Sequence, residues 1–600
     1  MLGPVLLGAG IILVASGVGA FLLPFRSGRV RLTIADLSLG LSAGLAIQVV
    51  LLTWTFDRLG PITFSLSLIV GALGWLFGLG WCRWRGLTLR WRTDPRIAAG
   101  WFALVLLVTL AVLLHPAPRG HDPVFHSILI RKLLEDGRLA RDWTPFEPVA
   151  VIYPQGSHLL LAMLSQLSGL EPPTVFQASF AWAGILELLL LGTVARAFVP
   201  TAGYRLTAVA LHTAATRFGS PLHVQLWGGL PTLIGSSFLL AIVAGLTAPR
   251  QRPLPTGAAI GLHLAALLAV HHLTALIAGW LLVLWFVPAC VGDSAISRSR
   301  RRTLGVAALA AFGLALPSLI GYSAKFDQIG QTHTLRYTDE PCYFGPLLAE
   351  SLGWTLIPWS LLGLIQLATR RATVRRTPDL LLWTLGLALA YLILDVGYRR
   401  VAESVWGQSL TAFTPSRWLS ALTTPLSLIA AIPLARPLYP PLRNLLRLLL
   451  AATIALGLTV TLRDVWTTRS RASDDLLLYR WIRSATPPNA FLIFDVADRI
   501  AGNPWMPYQT GRESFASPLP ASEPRDAPAV RIKRDLFQQT RQTGDQTPLR
   551  AWLDQTGRTG ILVVGPDRLD GPLPPSLRPI GSFQGVTLLR IEPISPNRTP

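Results

Sequence analysis

Residues 119–158 read R-G-H-D-P-V-F-H-S-I-L-I-R-K-L-L-E-D-G-R-L-A-R-D-W-T-P-F-E-P-V-A-V-I-Y-P-Q-G-S-H and connect two apolar runs. This stretch gathers His121, Asp122, His126, Arg131, Lys132, Glu135, Asp136, Asp142 and His158 in a chain otherwise poor in ionisable groups. A helix beginning just after His121, with Asp122 at its N-cap and Pro123 in its first turn, puts Asp122 and His126 four residues apart on one face. A carboxylate and an imidazole at that spacing can share a proton, a metal or a substrate. Asp122 is the candidate base, with His126 and His121 to orient it or a substrate hydroxyl. The plainer reading is that Asp122 only caps the helix and the histidines only hydrogen-bond at an interface. Asp142 and Glu147, beside prolines, are reserve acids. His121, His126 and His158 with Asp122 also offer ligands for a divalent cation, but no second carboxylate stands at a fixed spacing, so no metal ligand is assigned.

The elements that must hold these groups follow from periodicity. Ile128, Leu129, Leu133 and Leu134 make an apolar stripe, which predicts an amphipathic helix lying along a membrane surface and ending at Asp136 and Gly137. Of the 600 residues 51% are hydrophobic and 14% charged, and the mean hydropathy is +0.46, far too apolar for a soluble chain. The fold class expected is mainly α, a polytopic transmembrane helical bundle. Runs of roughly 20 apolar residues, enough to span hydrocarbon, recur from the N-terminus to residue 462, and about 14 of them are expected to cross.

The net charge of +21 and pI near 11.1 come from arginines in the short links between runs, so they signal membrane orientation and not nucleic acid. Basic links at 26–31, 83–96, 298–302, 370–376 and 436–447 are predicted cytoplasmic, which places the N-terminus, the 119–153 loop and everything past 463 outside. Four runs lie between that loop and the basic pair Arg250 and Arg252, where an odd number of crossings is required. Residues 153–170, with Gln155, His158 and Gln166, are the first candidate for a re-entrant or surface segment, and 204–218 the second. Lysine occurs only at Lys132, Lys325 and Lys533, and the separated Cys82, Cys290 and Cys342 predict neither a disulfide framework nor a zinc site. The N-terminus lacks a basic leader region and reads as a first membrane helix.

Beyond Arg463 the pattern changes to that of a small α/β domain. Helices are predicted at 474–484, 530–541 and 549–555, and strands at P-P-N-A-F-L-I-F-D, 560–565 and 586–591. The chain therefore divides into N-terminal transmembrane helices (1–118), a catalytic loop with its amphipathic helix (119–153), a transmembrane core (154–463) and an extracytoplasmic α/β domain (464–600).

The pattern H-D-x-x-F-H, the helix ending in D-G, and Y-P-x-G-x-H opening the next apolar segment resemble the first large external loop of GT-C type membrane glycosyltransferases. That resemblance implies a many-helix membrane fold, a polyprenyl-phosphate sugar donor and an acidic base in this loop, the position matched by Asp122. Some members position the donor phosphate through a divalent cation, the one cofactor the resemblance leaves open. The stretch W-M-P-Y-Q-T-G-R at 505–512 resembles a W-x-P-x-x-x-G-R segment of some relatives, which implies that Arg512 lies near the active-site face. The three or four helices before the loop depart from the simplest family pattern, where the loop follows the first helix. The implied activity is transfer of a sugar to an external glycan or lipid-linked acceptor at a bacterial plasma membrane.

Such a transfer needs a base for the acceptor hydroxyl as an oxocarbenium-like transition state forms, and positive charge for the departing phosphate. Arginine suits the second role because its planar donors grip phosphate oxygens in pairs. Arg399, Arg400 and Arg417 flank the last large external loop and, with Tyr153, His158 and Arg512, are the candidate substrate-binding residues. Lys325 and Arg336 lie in the loop before it; the plain role of any external arginine is an interfacial anchor. Within the membrane, Glu187 in G-I-L-E-L-L-L is a functional candidate or a bundle residue paired with a neighbour such as His212. His271 and His272 fall at a hairpin turn, L-W-G-G-L-P at 226–231 reads as a broken helix start lining the same cavity, and Gly71, Gly74 and Gly78 read as close helix packing. Two rival functions fit less well: a lipid-linked-substrate transporter or flippase, which expects mid-membrane charge and repeated halves, and a catalytically inactive assembly protein of the same fold.

Overall fold

A computed structural model describes residues 1–22, 31–84, 86, 88–89, 94–115, 117–118, 122–199, 201–215, 220–248, 252–292, 294–323, 355–369, 377–390, 392–393, 415–435, 443–468, 475–494, 505–515, 528–543, 545–565 and 576–592. The first helices are α1 (Leu2–Ala15), followed by a 3-10 segment Ser16–Leu22, α2 (Ile34–Leu59), α3 (Ile62–Trp84) and α4 (Pro95–Leu113). Their starts are written locally. Thr33 accepts from the Asp36 amide while the Asp36 carboxylate accepts from the Thr33 amide, a reciprocal cap, and Asp94 caps α4 just before Pro95. Gly71 and Gly74 let the backbone of α3 approach the end of α1 and the 3-10 segment, as close packing required.

Helix α5 (Asp122–Asp136) opens the connection, followed by the two-stranded β1 (Asp142–Trp143) and β2 (Glu147–Ala150). Then come α6 (Gly156–Ser168), α7 (Pro172–Phe198), α8 (Ala202–Ala214), α9 (Pro221–Trp227), α10 (Leu230–Leu246), α11 (Pro253–Val270), α12 (His272–Val291) and α13 (Ala295–Ser323). The bundle continues with α14 (Ile357–Thr369), α15 (Thr377–Ala390), α16 (Pro415–Ala430) and α17 (Arg443–Thr467). Among the described residues nine helices are long and apolar enough to cross a membrane, and four shorter apolar helices accompany them. The chain is an integral membrane helical bundle. The helices found at the two candidate segments, α6 (Gly156–Ser168) and α8 (Ala202–Ala214), have only 13 residues each, about 20 Å at 1.5 Å per residue, and neither is among those long enough to cross.

Among the described residues the core of the bundle is one apolar cluster running from α1 to α17. Helices α11 and α13 lie along one another because Gly257 and Gly261 of α11, four residues apart, face α13. A Cβ there would stand 2.5 Å from the Thr303 carbonyl and 2.6 Å from the Ala307 carbonyl, so the backbones touch directly.

The C-terminal part adds α18 (Leu476–Ala485), β3 (Ala490–Phe494), α19 (Met506–Thr510), β4 (Glu513–Ser514), α20 (Pro528–Thr543), α21 (Thr547–Thr556), β5 (Thr559–Val564), β6 (Leu577–Phe583) and β7 (Val586–Ile591). The sheet order is β4-β3-β5-β7-β6, with β4, β3 and β5 parallel and β7 and β6 antiparallel to their neighbours. Strand β6 was not expected from the sequence. It pairs with β7 through a two-residue turn in which Gln584 (φ 50) and Gly585 (φ 78) are both left-handed, the turn whose twist matches a hairpin. Pro579, near a register shift, hid the strand, since proline is tolerated only at an edge or a bulge.

Candidate functional site

The helix that carries the candidate base is packed on more than the one face its stripe suggested. Residues 123–130 of α5 are all buried. Ile130 and Leu133 join the core of the bundle, while Val124, Phe125, Ile128 and Leu129 pack with Trp143, Phe146 and Val149 of the following hairpin and with Trp505 and Tyr508. The single stripe inferred from Ile128, Leu129, Leu133 and Leu134 is therefore two, one for the bundle and one for the C-terminal part. A helix sandwiched between two apolar bodies needs both faces.

Asp122 heads α5 and is half-buried. The W-G-G-L-P break packs against the neighbouring Pro123. Gly228 ends α9 at φ +86, and a Cβ there would lie 2.3 Å from Cδ of Pro123. Only glycine fits both the left-handed backbone and the contact. The break predicted at 226–231 therefore borders the first turn of α5.

One turn on, His126 Nδ1 is 2.8 Å from His158 Nε2, both rings buried. Phe176 of α7 stacks on His126 at 5.3 Å, and Tyr153 stands edge-on to both imidazoles. Gly156 lets the start of α6 reach the end of α11, since a Cβ there would be 2.7 Å from the Ala269 carbonyl. That approach brings the hairpin histidines into the group: the His272 ring lies 5.9 Å from Tyr153, and His271 caps α12 through Thr274 while its Nε2 is 3.3 Å from the Thr232 hydroxyl. Burial, with the neighbouring His158 and His271, holds His126 well below its ordinary value, and burial takes His158 down to about 3 against a backbone contact from Pro154 that raises it. Both rings are neutral at physiological pH, so one donates an N–H to the other.

The structure thus joins His126, Tyr153 and His158 with His271 and His272, one helical turn along α5 from Asp122, whose neighbour Pro123 meets the glycine break. Phe176 and Thr232 carried no sequence signal. His121, Arg399 and Arg400 lie outside the described residues, as do Lys325 and Arg336, and Arg417 falls in the first turn of α16. Glu187 is 3.8 Å from His212, both buried, which is the bundle pairing foreseen for it. Among the described residues no group of three His, Cys, Asp or Glu side chains is placed to hold a metal ion.

The reserve acids are committed elsewhere. Glu147, fully buried, is 2.6 Å from Lys533 of α20, which also approaches Glu513 at 3.3 Å. Burial opposes ionisation of Asp142, but the Thr144 hydroxyl and amide, with Lys132 and Arg138, outweigh it and hold the carboxyl below its usual value. Arg512 turns its guanidinium on the end of α18, with Nη2 2.8 Å from the Arg483 carbonyl and 2.7 Å from that of Thr486. Those carbonyls have no partner inside the helix, so Arg512 caps it. Arg131 lies over the Tyr508 ring, 3.8 Å from its centroid, and donates to the Tyr508 carbonyl. Burial pushes the Tyr508 phenol up to about 12, so it stays protonated and donates to Glu171 at 3.4 Å. The C-terminal part is fastened to the α5 connection by Lys533 and by the Arg131 and Tyr508 pair.

The model of a family described only as a family of unknown function, DUF6541, matches residues 10–340. A search of curated protein sequences returns no match. Among solved structures, ArnT from Cupriavidus metallidurans bound to undecaprenyl phosphate aligns over 83% of this chain and 98% of its own at 13% identity, with a TM-score of 0.54. The arabinofuranosyltransferase AftD from Mycobacteria aligns over 83% of this chain but 40% of its own, at 14% identity and TM-score 0.56. An oligosaccharyltransferase from Archaeoglobus fulgidus, in complex with Zn and sulfate, covers 78% of this chain and 68% of its own at 12% identity and TM-score 0.50. All three are GT-C superfamily membrane glycosyltransferases, and the architecture here is theirs.

Proposed function

Starting from a chain that belongs to the family of unknown function DUF6541 and has the GT-C fold, we propose that it is a membrane glycosyltransferase. In this reading it moves a sugar from a polyprenyl-phosphate donor to an extracytoplasmic glycan or lipid-linked acceptor. In this reading the α5 connection and the C-terminal sheet lie on the outer side of a bacterial plasma membrane, which the positive-inside charge of the connecting links supports. A neighbour of the same architecture holds undecaprenyl phosphate, which supports a prenyl-linked donor.

The observation that carries the reading is the setting of Asp122. A half-buried carboxylate heads a helix clasped by Gly228 and followed one turn later by a neutral imidazole pair. Asp122 takes the proton of the acceptor hydroxyl as its oxygen attacks the anomeric carbon. The bond from that carbon to the phosphate oxygen breaks, and its electron pair leaves on the phosphate, so no general acid is needed. His126, turned to His158, orients the base or the acceptor. Arginines outside the membrane balance the phosphate charge, with Arg399, Arg400 and Arg417 as the candidates.

The test is a mass profile of envelope lipids and glycans from cells lacking the protein, cells with it restored, and cells carrying Asp122→Asn at equal expression. One sugar-sized mass difference is expected to vanish on deletion and stay absent with Asp122→Asn, since losing a general base costs about 10²- to 10⁴-fold. Full restoration by Asp122→Asn overturns the assignment of the base.

A further inference from the structure

A cavity of about 490 Å³ opens between the second half of α5, the hairpin that follows it and the end of α18. Six of its lining side chains are basic: Arg131, Lys132, Arg138, Arg141, Arg483 and Arg512. Three are acidic, Glu135, Asp136 and Asp142, of which Asp136 is paired with Lys132 at 3.5 Å. The cavity keeps an excess of positive charge. Arg131 and Arg512 spend their hydrogen bonds on neutral carbonyl and hydroxyl oxygens, so their charge is not cancelled. Burial and the nearby Arg483 lower the Arg512 guanidinium from its ordinary value, and among the described residues neither arginine is bridged to a carboxylate. Arg483 and Arg512, like charges held together at one wall, leave room for an anion to stabilise them.

The cavity is separate from the base. Arg131 is nine residues along α5 from Asp122, about 14 Å at 1.5 Å per residue, and the cavity is walled on its far side by the C-terminal part. The separation along the helix is one that an acceptor chain of a few sugars spans.

We propose that this basic cleft binds an anionic group, a phosphate or carboxylate, on the saccharide chain of the acceptor. It rests on the glycosyltransferase reading for what the acceptor is, but binding can be measured without turnover. The purified full chain in detergent would be titrated with maltohexaose 6-phosphate, unmodified maltohexaose and inorganic phosphate, and separately with nanodiscs of an anionic phospholipid. The phosphorylated oligosaccharide is expected to bind at least tenfold more tightly than the neutral one and more tightly than phosphate alone. Arg141→Glu with Arg483→Glu should abolish that preference, and Arg141→Gln with Arg483→Gln should weaken it while preserving the melting temperature. Equal binding of charged and neutral oligosaccharides, a preference that survives charge reversal, or anion-dependent binding to the nanodiscs alone overturns the proposal. If the preference holds while Asp122→Asn still restores the glycan profile, the cleft stands and the assignment of the base falls.

Discussion

Lys533 is the best place to test how the C-terminal part is held to the helix of the candidate base. It is 3% exposed, its ammonium lies between Glu147 and Glu513, and it donates to the carbonyls of Phe146 and Ser514. Lys533→Met keeps the apolar stem and removes the charge. Arg558 still neutralises Glu513, so the loss falls on Glu147, which is fully buried. Removing one partner of such a pair costs about 3–5 kcal/mol. If the loss is local to this interface, amide exchange in β2 and α20 should quicken by more than about a hundredfold, since each 1.4 kcal/mol is a factor of ten. Hydrogen exchange by mass spectrometry on the purified protein reads this directly, with helices such as α11 and α13 as the unchanged internal reference. Adding Glu147→Leu to Lys533→Met should recover most of the protection, because the uncompensated charge leaves with it. Unchanged exchange in the single variant, or no recovery in the double, refutes the argument that this buried pair fastens the two parts.

Gly228→Ala should cost about 2–4 kcal/mol, from a left-handed backbone and a Cβ driven into Pro123, and should lower transfer in the glycan profile by displacing Asp122; a melting temperature and profile equal to wild type would contradict the clasp. The neutral imidazole pair sets a pH dependence. His158 titrates near 3 when folded and near the ordinary value of about 6.5 when unfolded, so between those limits the unfolded chain binds the extra proton. Stability from the pair is therefore full above that range and falls with pH by up to about 1.4 kcal/mol per unit for each ring. Melting between pH 7.5 and 5 should show this slope, and His126→Phe with His158→Phe should flatten it; an equal slope in the double variant would assign the acid sensitivity elsewhere.

Much of this molecule was legible before folding because its signals are local. Membrane helices are written as unbroken apolar runs, since a backbone in hydrocarbon must bond within itself, and the caps at Thr33 and Asp94 and the ends at Gly137 and Gly228 are short-range chemistry. The concentration of ionisable groups at 119–158 and the spacing of Asp122 and His126 were equally plain. What only the tertiary structure decided is which faces meet. Periodicity counted one stripe on α5, and the structure divides it between two bodies. Glu147 and Asp142 read as reserve acids until Lys533, far along the chain, and Thr144 took them up. Arg512 stood in a substrate-like motif, yet its donors cap α18 while its charge faces the cleft. His271 and His272 reached the site because Gly156 lets α6 touch α11. Residue type and spacing are carried by neighbours in sequence, but the partner of a side chain is set by long-range packing, which no local pattern contains.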